Sequence, residues 1–168
     1  SRTFWISAET SNRMLAANPF VRKSSQERKP DFLPQVSIYK TETYDSAIVE
    51  EAVRFHFDAL ELSRFIRAGQ KIVVKPNLIM KRDPGDAVTT HPALVEAVIR
   101  RLQAMGVQDI TIAESPGGPY AIPLLQSLYQ TCGMTEVAQR TGAVLNFDTS
   151  SRQLDGNGQV TRHFTVIH

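Results

Sequence analysis

Three short apolar runs, each closed by a turn and separated by helical patterns, constrain this chain most. Lys71-Ile72-Val73-Val74-Lys75 stops at Pro76, and Asp109-Ile110-Thr111-Ile112-Ala113 stops at Glu114-Ser115-Pro116-Gly117-Gly118-Pro119. Ala143-Val144-Leu145-Asn146-Phe147 stops at Asp148. β-Branched runs of this length, ended by proline or glycine, read as buried strands. A sheet built from strands that alternate with helices is parallel, and its crossovers are right-handed.

The segments between the runs carry helical spacing. Residues 44–66 form one long helix by this reading, with Ile48, Ala52, Phe55, Ala59 and Leu62 turned inward. Pro92 suits a first helical position, so His91 or Thr90 caps a second helix with the stripe Leu94, Val98, Leu102 and Met105, ended by Gly106. Two short helices, 122–130 and 135–140, split near Gly133 and stop at Gly142. Val36-Ser37-Ile38-Tyr39 alternates as a further strand would. Asp155-Gly156-Asn157-Gly158 reads as a hairpin turn before a last strand over 160–167. The expected fold is α/β: a mostly parallel open sheet with helices on both faces and an antiparallel edge strand at the C-terminus.

The ends are distinct. Residues 1–34 hold six basic and three acidic side chains, whereas the remainder carries a net −1 of the chain's overall +2. They read as a basic arm or linker ahead of an α/β domain over 35–168. A start at Ser1 and a strand running to His168 are read as a fragment of a longer protein. With 19 Lys and Arg against 17 Asp and Glu, the basic excess is too small for a dedicated nucleic-acid binder. No run reaches the roughly 18 apolar residues of a membrane-spanning helix. A cytoplasmic setting is expected, with neither nucleic acid nor membrane as partner. Cys132 is the sole cysteine, so the chain by itself offers neither a disulfide nor a four-cysteine metal site.

Ligands of open parallel sheets bind beyond the carboxyl ends of the strands. Lys75 and Asn77 fall there, as do Glu114, Ser115, Gly117, Gly118 and Asp148, with His91 at the head of the second helix. A lysine at a strand end can hold phosphate or carboxylate as a point charge, or simply reach solvent. Asn77 and Asp148 are turn-makers or ligands. His91 is a helix cap, or an acid/base or metal ligand. Gly117 and Gly118 let backbone N–H groups approach an anion, or form a tight turn. The segment is neither a Walker loop nor a dinucleotide fingerprint, and Ser115 lacks the setting of a nucleophile elbow. The loop over 78–90 carries Lys81 and Arg82 and reads as a basic lid over Lys75.

Five motifs in order resemble one family: Val74-Lys75-Pro76-Asn77-Leu78, Thr89-Thr90-His91-Pro92, Glu114 to Pro119, Thr131-Cys132-Gly133-Met134 and Leu145-Asn146-Phe147-Asp148. From Val36 to Ile167 the chain looks like the N-terminal part of the domain of unknown function 362 family. That resemblance implies a larger protein in which a ferredoxin-like module with paired four-iron clusters follows, though its cysteines are absent here. A lysine-containing segment that follows in the family is also absent, and the N-terminal arm is extra. Three expectations result. The first is a domain that binds an anionic small molecule or metal and works beside an iron–sulfur electron carrier, as a module or partner chain. The second is a metal-dependent enzyme using His91, Glu114 and Asp148. The third is a non-catalytic scaffold, which can form homo-oligomers through its terminal strand.

Overall fold

The computed structural model describes residues 35–155 and 163–167. The basic arm of residues 1–34 and the turn at 156–158 lie outside the described residues. Asp45 opens helix α1, Ser46–Ala59, by accepting the Ala47 and Ile48 N–H groups on Oδ1. The helix ends well short of Ile66. Glu61 turns left-handed at φ 49°, and a 3₁₀ turn follows over Leu62–Arg64. The buried face also differs from the expected one. Val49, Ala52, Val53, His56 and Phe57 are buried, while Ile48 and Phe55 stay exposed. Two apolar sets interleave along this helix, and packing rather than periodicity chooses between them.

The segment before α1 is corrected in the same way. Residues 36–39 form no strand. They alternate, but Val36 and Ile38 face outward, while Ser37 donates or accepts at His56 Nδ1 across 2.8 Å and Tyr39 packs on the Phe55 ring.

Strand β1, Lys71–Val74, pairs in parallel with β2, Asp109–Ile112, which pairs in parallel with β3, Val144–Leu145. The order β1-β2-β3 places β1 at an edge. Helix α2, Pro92–Ala104, connects β1 to β2. Helices α3, Ile122–Thr131, and α4, Met134–Thr141, connect β2 to β3. The α/β fold with a parallel sheet is thus present. Register puts Ile72, Val74, Ile110, Ile112 and Leu145 on one face, within the single apolar core that receives the helices. On the other face Val73 and Val144 remain 64% and 59% exposed, so among the described residues β1 is covered on one side only. The expected antiparallel strand exists but in another place. β4, Ser151–Asp155, and β5, His163–Ile167, make a two-stranded sheet of their own, and β4 went unseen in the sequence.

Two local devices position the crossovers. Gly106 ends α2 at φ +86°, and a Cβ there would lie 2.9 Å from Ala68 Cβ. Glu96 on α2 accepts Arg100 Nη2 at 2.7 Å on one oxygen and Arg140 Nη2 of α4 at 2.6 Å on the other. Hydrogen bonding from Arg140 leads in holding the Glu96 carboxyl below the usual carboxylate range, against an opposing push from burial.

Two predictions follow from these devices. Gly106→Ala combines a left-handed backbone with a steric overlap and should cost about 1–3 kcal/mol, seen as a lower urea midpoint at unchanged slope. A carboxylate depressed in the folded state stabilises above its unfolded pKa of about 4.3 and loses that contribution as pH falls through the lower folded value. Glu96→Gln should therefore be less stable than wild type at neutral pH, with the gap closing below about pH 4. Denaturation midpoints across pH measure this gap.

Candidate functional site

The carboxyl ends of β1 and β2 meet at Glu114. The Ala113 N–H donates to Val74 O, which carries the ladder to the last residue before Glu114. The Glu114 side chain then turns inward and is only 3% exposed. A carboxylate at such depth needs its lone pairs filled. Oε2 accepts the Leu78 N–H at 2.9 Å, and Oε1 accepts the Ser115 N–H at 2.7 Å. Lys75 Nζ lies 2.9 Å from Oε1 and is its countercharge. The Glu114 N–H in turn donates to Tyr129 Oη at 3.3 Å. Tyr129 is fully buried, and burial pushes its phenol pKa up.

Lys75 and Glu114 are therefore brought together. The Lys75 side chain remains 64% exposed although its Nζ lies 2.9 Å from Glu114 Oε1. Asn77 is held by its backbone: its N–H donates to Thr90 Oγ1 at 2.9 Å, and its carbonyl accepts the Thr90 N–H at 3.0 Å. Beyond Ser115 the turn is open. Gly118 sits at φ +100° with open space where a Cβ would stand, and a Cβ on Gly117 would lie 3.8 Å from the Ile79 carbonyl oxygen.

His91 and Asp148 are placed differently. His91 Nδ1 accepts the Ala93 N–H at 3.2 Å, which makes it the cap of α2, and its ring stacks on Tyr44 at 3.8 Å between centroids. Asp148 Oδ1 accepts the Ser150 N–H at 2.9 Å, and its own N–H donates to Asn146 Oδ1. The Asp148 carbonyl accepts from the Tyr120 hydroxyl at 3.4 Å. Desolvation, then the Asp148 charge, raise the Tyr120 phenol pKa, with a smaller contribution from Glu114. Among the described residues no three His, Cys, Asp or Glu side chains group so as to hold a metal ion. His91, Glu114 and Asp148 are each engaged with backbone N–H groups.

Tyr44, Tyr120 and Tyr129 were not singled out from the sequence. Tyr129 carried a faint signal, since it falls one turn after Leu125 on α3 yet bears a hydroxyl that a core position must satisfy. The loop expected to act as a lid is tied down. Leu78 is held by Glu114, and Thr90 by Asn77. Cys132 Sγ donates to the carbonyls of Arg82 and Met80 at 3.4 and 3.8 Å. Asp83 Oδ1 accepts the Gly85 N–H at the start of a 3₁₀ turn over Pro84–Asp86.

A family model described as "Domain of unknown function (DUF362)" matches residues 72–168. The chain belongs to this family. Among curated proteins, the DUF362 chain is similar to thylakoid-associated protein sll1697 of Synechocystis sp., with 27% identity over 103 residues. The match covers 55% of this chain and 32% of that protein. The chain thus spans about a third of the length of the curated relative it matches. No solved structure matches it. Among the described residues no helix is long and apolar enough to cross a membrane.

Truncating the central carboxylate tests its structural part. Glu114→Ala leaves the buried Leu78 N–H without its acceptor, at about 1–3 kcal/mol, while the N–H of exposed Ser115 can turn to water at a smaller cost. Glu114→Gln keeps an acceptor oxygen and should lose less. Urea denaturation should rank wild type above Gln above Ala, and the Leu78 amide should exchange faster in the alanine variant.

Proposed function

We propose that the carboxyl ends of β1 and β2 form a shallow site for a small anion bearing phosphate or carboxylate. Lys75 supplies the charge, and the Gly117-Gly118 turn supplies backbone N–H groups. Glu114 orients Lys75 and is not itself a base, because both its oxygens are occupied. One observation carries this reading: a lysine anchored at 2.9 Å to a nearly inaccessible carboxylate keeps 64% of its side chain exposed. An ammonium with three donors can serve its anchor and a ligand together. The open glycine turn beside it fits an anion that approaches the backbone closely.

The electron carrier that the family resemblance implies would lie outside these 168 residues. A four-iron cluster takes cysteine thiolates, and the one cysteine here is fully buried with its sulfur on two loop carbonyls. These residues do not fit such a cluster, and no redox step is assigned to them.

A second reading, the scaffold, also has support. Two hollows of about 400 and about 320 Å³ run along α1, and neither is lined by the strand-end residues. In that reading the Glu114 ties hold loops and bind nothing. Phosphate titration followed by amide chemical shifts separates the two. The site reading expects saturable shifts at Gly117 and Gly118, weakened at least about tenfold in Lys75→Ala, the loss of one charged hydrogen bond. Wild-type shifts that are absent, or unchanged by the substitution, favour the scaffold.

A further inference from the structure

Among the described residues four strand edges have no strand beside them, those of β1, β3, β4 and β5. An unpaired edge invites another strand, and proteins guard such edges with charge, proline or short length. β3 has two residues, too few to recruit a partner. β1 is followed by Lys75. Antiparallel pairing of two copies about Val73 would set Lys71 of each against Lys75 of the other, like charge on like. β4 carries Arg152 and Asp155. β5, by contrast, reads His163-Phe164-Thr165-Val166-Ile167, with no Lys, Arg, Asp, Glu or proline. The sheet it belongs to has only two strands and stands apart from the main one. Such a ribbon is marginally stable by itself. Its register sets Leu154 across from Phe164 and Arg152 across from Val166. These alternate positions share one face of the ribbon, which is therefore largely apolar.

We infer that β5 pairs antiparallel with β5 of a second copy of this chain. The self-pairing that engages the whole strand is centred on Thr165. It sets Phe164 across from Val166 of the second copy, His163 across from Ile167 of the second copy, and Thr165 across from its own equivalent. No charge meets a like charge. Thr–Thr and aromatic–β-branched pairs are favourable cross-strand neighbours. The product is a four-stranded sheet in the order β4-β5-β5-β4, with Leu154, Phe164 and Val166 of both copies on one face. Three or more strands with an apolar face are what a stable sheet needs. A second copy is the occupant because the edge is complementary to itself, and a two-fold pair closes. Both outer edges are then β4, guarded by Arg152 and Asp155, so assembly stops at two. Pairing β5 with β4 of a neighbour would instead leave an edge free at each end and grow into a filament. None of the groups assigned to the anion site takes part.

Sedimentation velocity of the 168-residue chain across a concentration series tests it. Wild type should pass from monomer to dimer and no further. Thr165→Lys and Thr165→Glu each set like charges face to face across the two-fold axis, whereas within the ribbon this position faces the uncharged Gln153. Each variant alone should dimerise more weakly by roughly fivefold or more. An equal mixture of the two should recover dimer through a Lys–Glu pair, which variants that had merely lost their fold could not do. Under oxidation Thr165→Cys should give a disulfide-linked dimer. Gln153→Cys, on the outer strand, should not, and Cys132 is buried. Lys75→Ala should dimerise as wild type does, which separates this contact from the anion site. Wild type that stays monomeric at every concentration, or that grows beyond two copies, would overturn the inference. So would single-charge variants that dimerise like wild type, a mixture that recovers nothing, or cross-linking of Gln153→Cys equal to that of Thr165→Cys.

Discussion

One buried carboxylate organises the functional end of this molecule. Glu114 leaves a strand end and enters the interior, where an unpaired charge would be prohibitively costly. The chain answers from three directions, with the N–H of its own neighbour Ser115, the N–H of Leu78 from the adjacent strand's loop, and the Lys75 ammonium. Because these groups come from two strands, the loops after β1 and β2 are locked to one another. The Lys75 position, the course of residues 75–78 and the exit of the glycine turn all depend on this knot. Only the carboxylate is buried, and an ion pair with one exposed partner is weak evidence for stability by itself. Its value here is in geometry: it fixes where the lysine stands.

Around that knot the sheet is thin. Three parallel strands with helices against one face leave Val73 and Val144 in water. Parallel sheets are ordinarily covered on both sides. The DUF362 relative is roughly three times the length of the matched segment. The core nonetheless closes well on its covered side. Ile110, Ile112, Tyr129, Met134 and Val137 are all nearly inaccessible, and Glu96 joins the two crossovers through Arg100 and Arg140.

What could be read in advance follows physical rules. The strands at 71–75, 109–113 and 143–147, the His91 cap, the split at Gly133 and the stop at Gly142 were legible, because each depends on a residue's own backbone preference or side-chain chemistry. Gly133 and Gly142 both adopt φ 76°, a conformation few other residues take readily. The buried face of α1 was not legible. Its two apolar stripes differ by one residue, and only the tertiary partner selects Val49 over Ile48. Val36 and Ile38 misled for the same reason, since alternation reveals a period and not which side is wet. At the site, Lys75 and Glu114 were found by their places at strand ends. Their mutual contact, and the engagement of His91 and Asp148 with backbone, depend on distances that no spacing encodes. β4 was missed because Ser151-Arg152-Gln153 carries no apolar signal.

Cys132 adds a practical consequence. Its sulfur is fully enclosed and rests on the carbonyls of the loop that bears Lys81 and Arg82. Reagents reach a buried thiol only when the covering segment lifts, so its alkylation rate reflects the free energy of that local opening. As the only sulfhydryl in the chain, it gives a background-free chemical clock for the loop, read by mass without any introduced label.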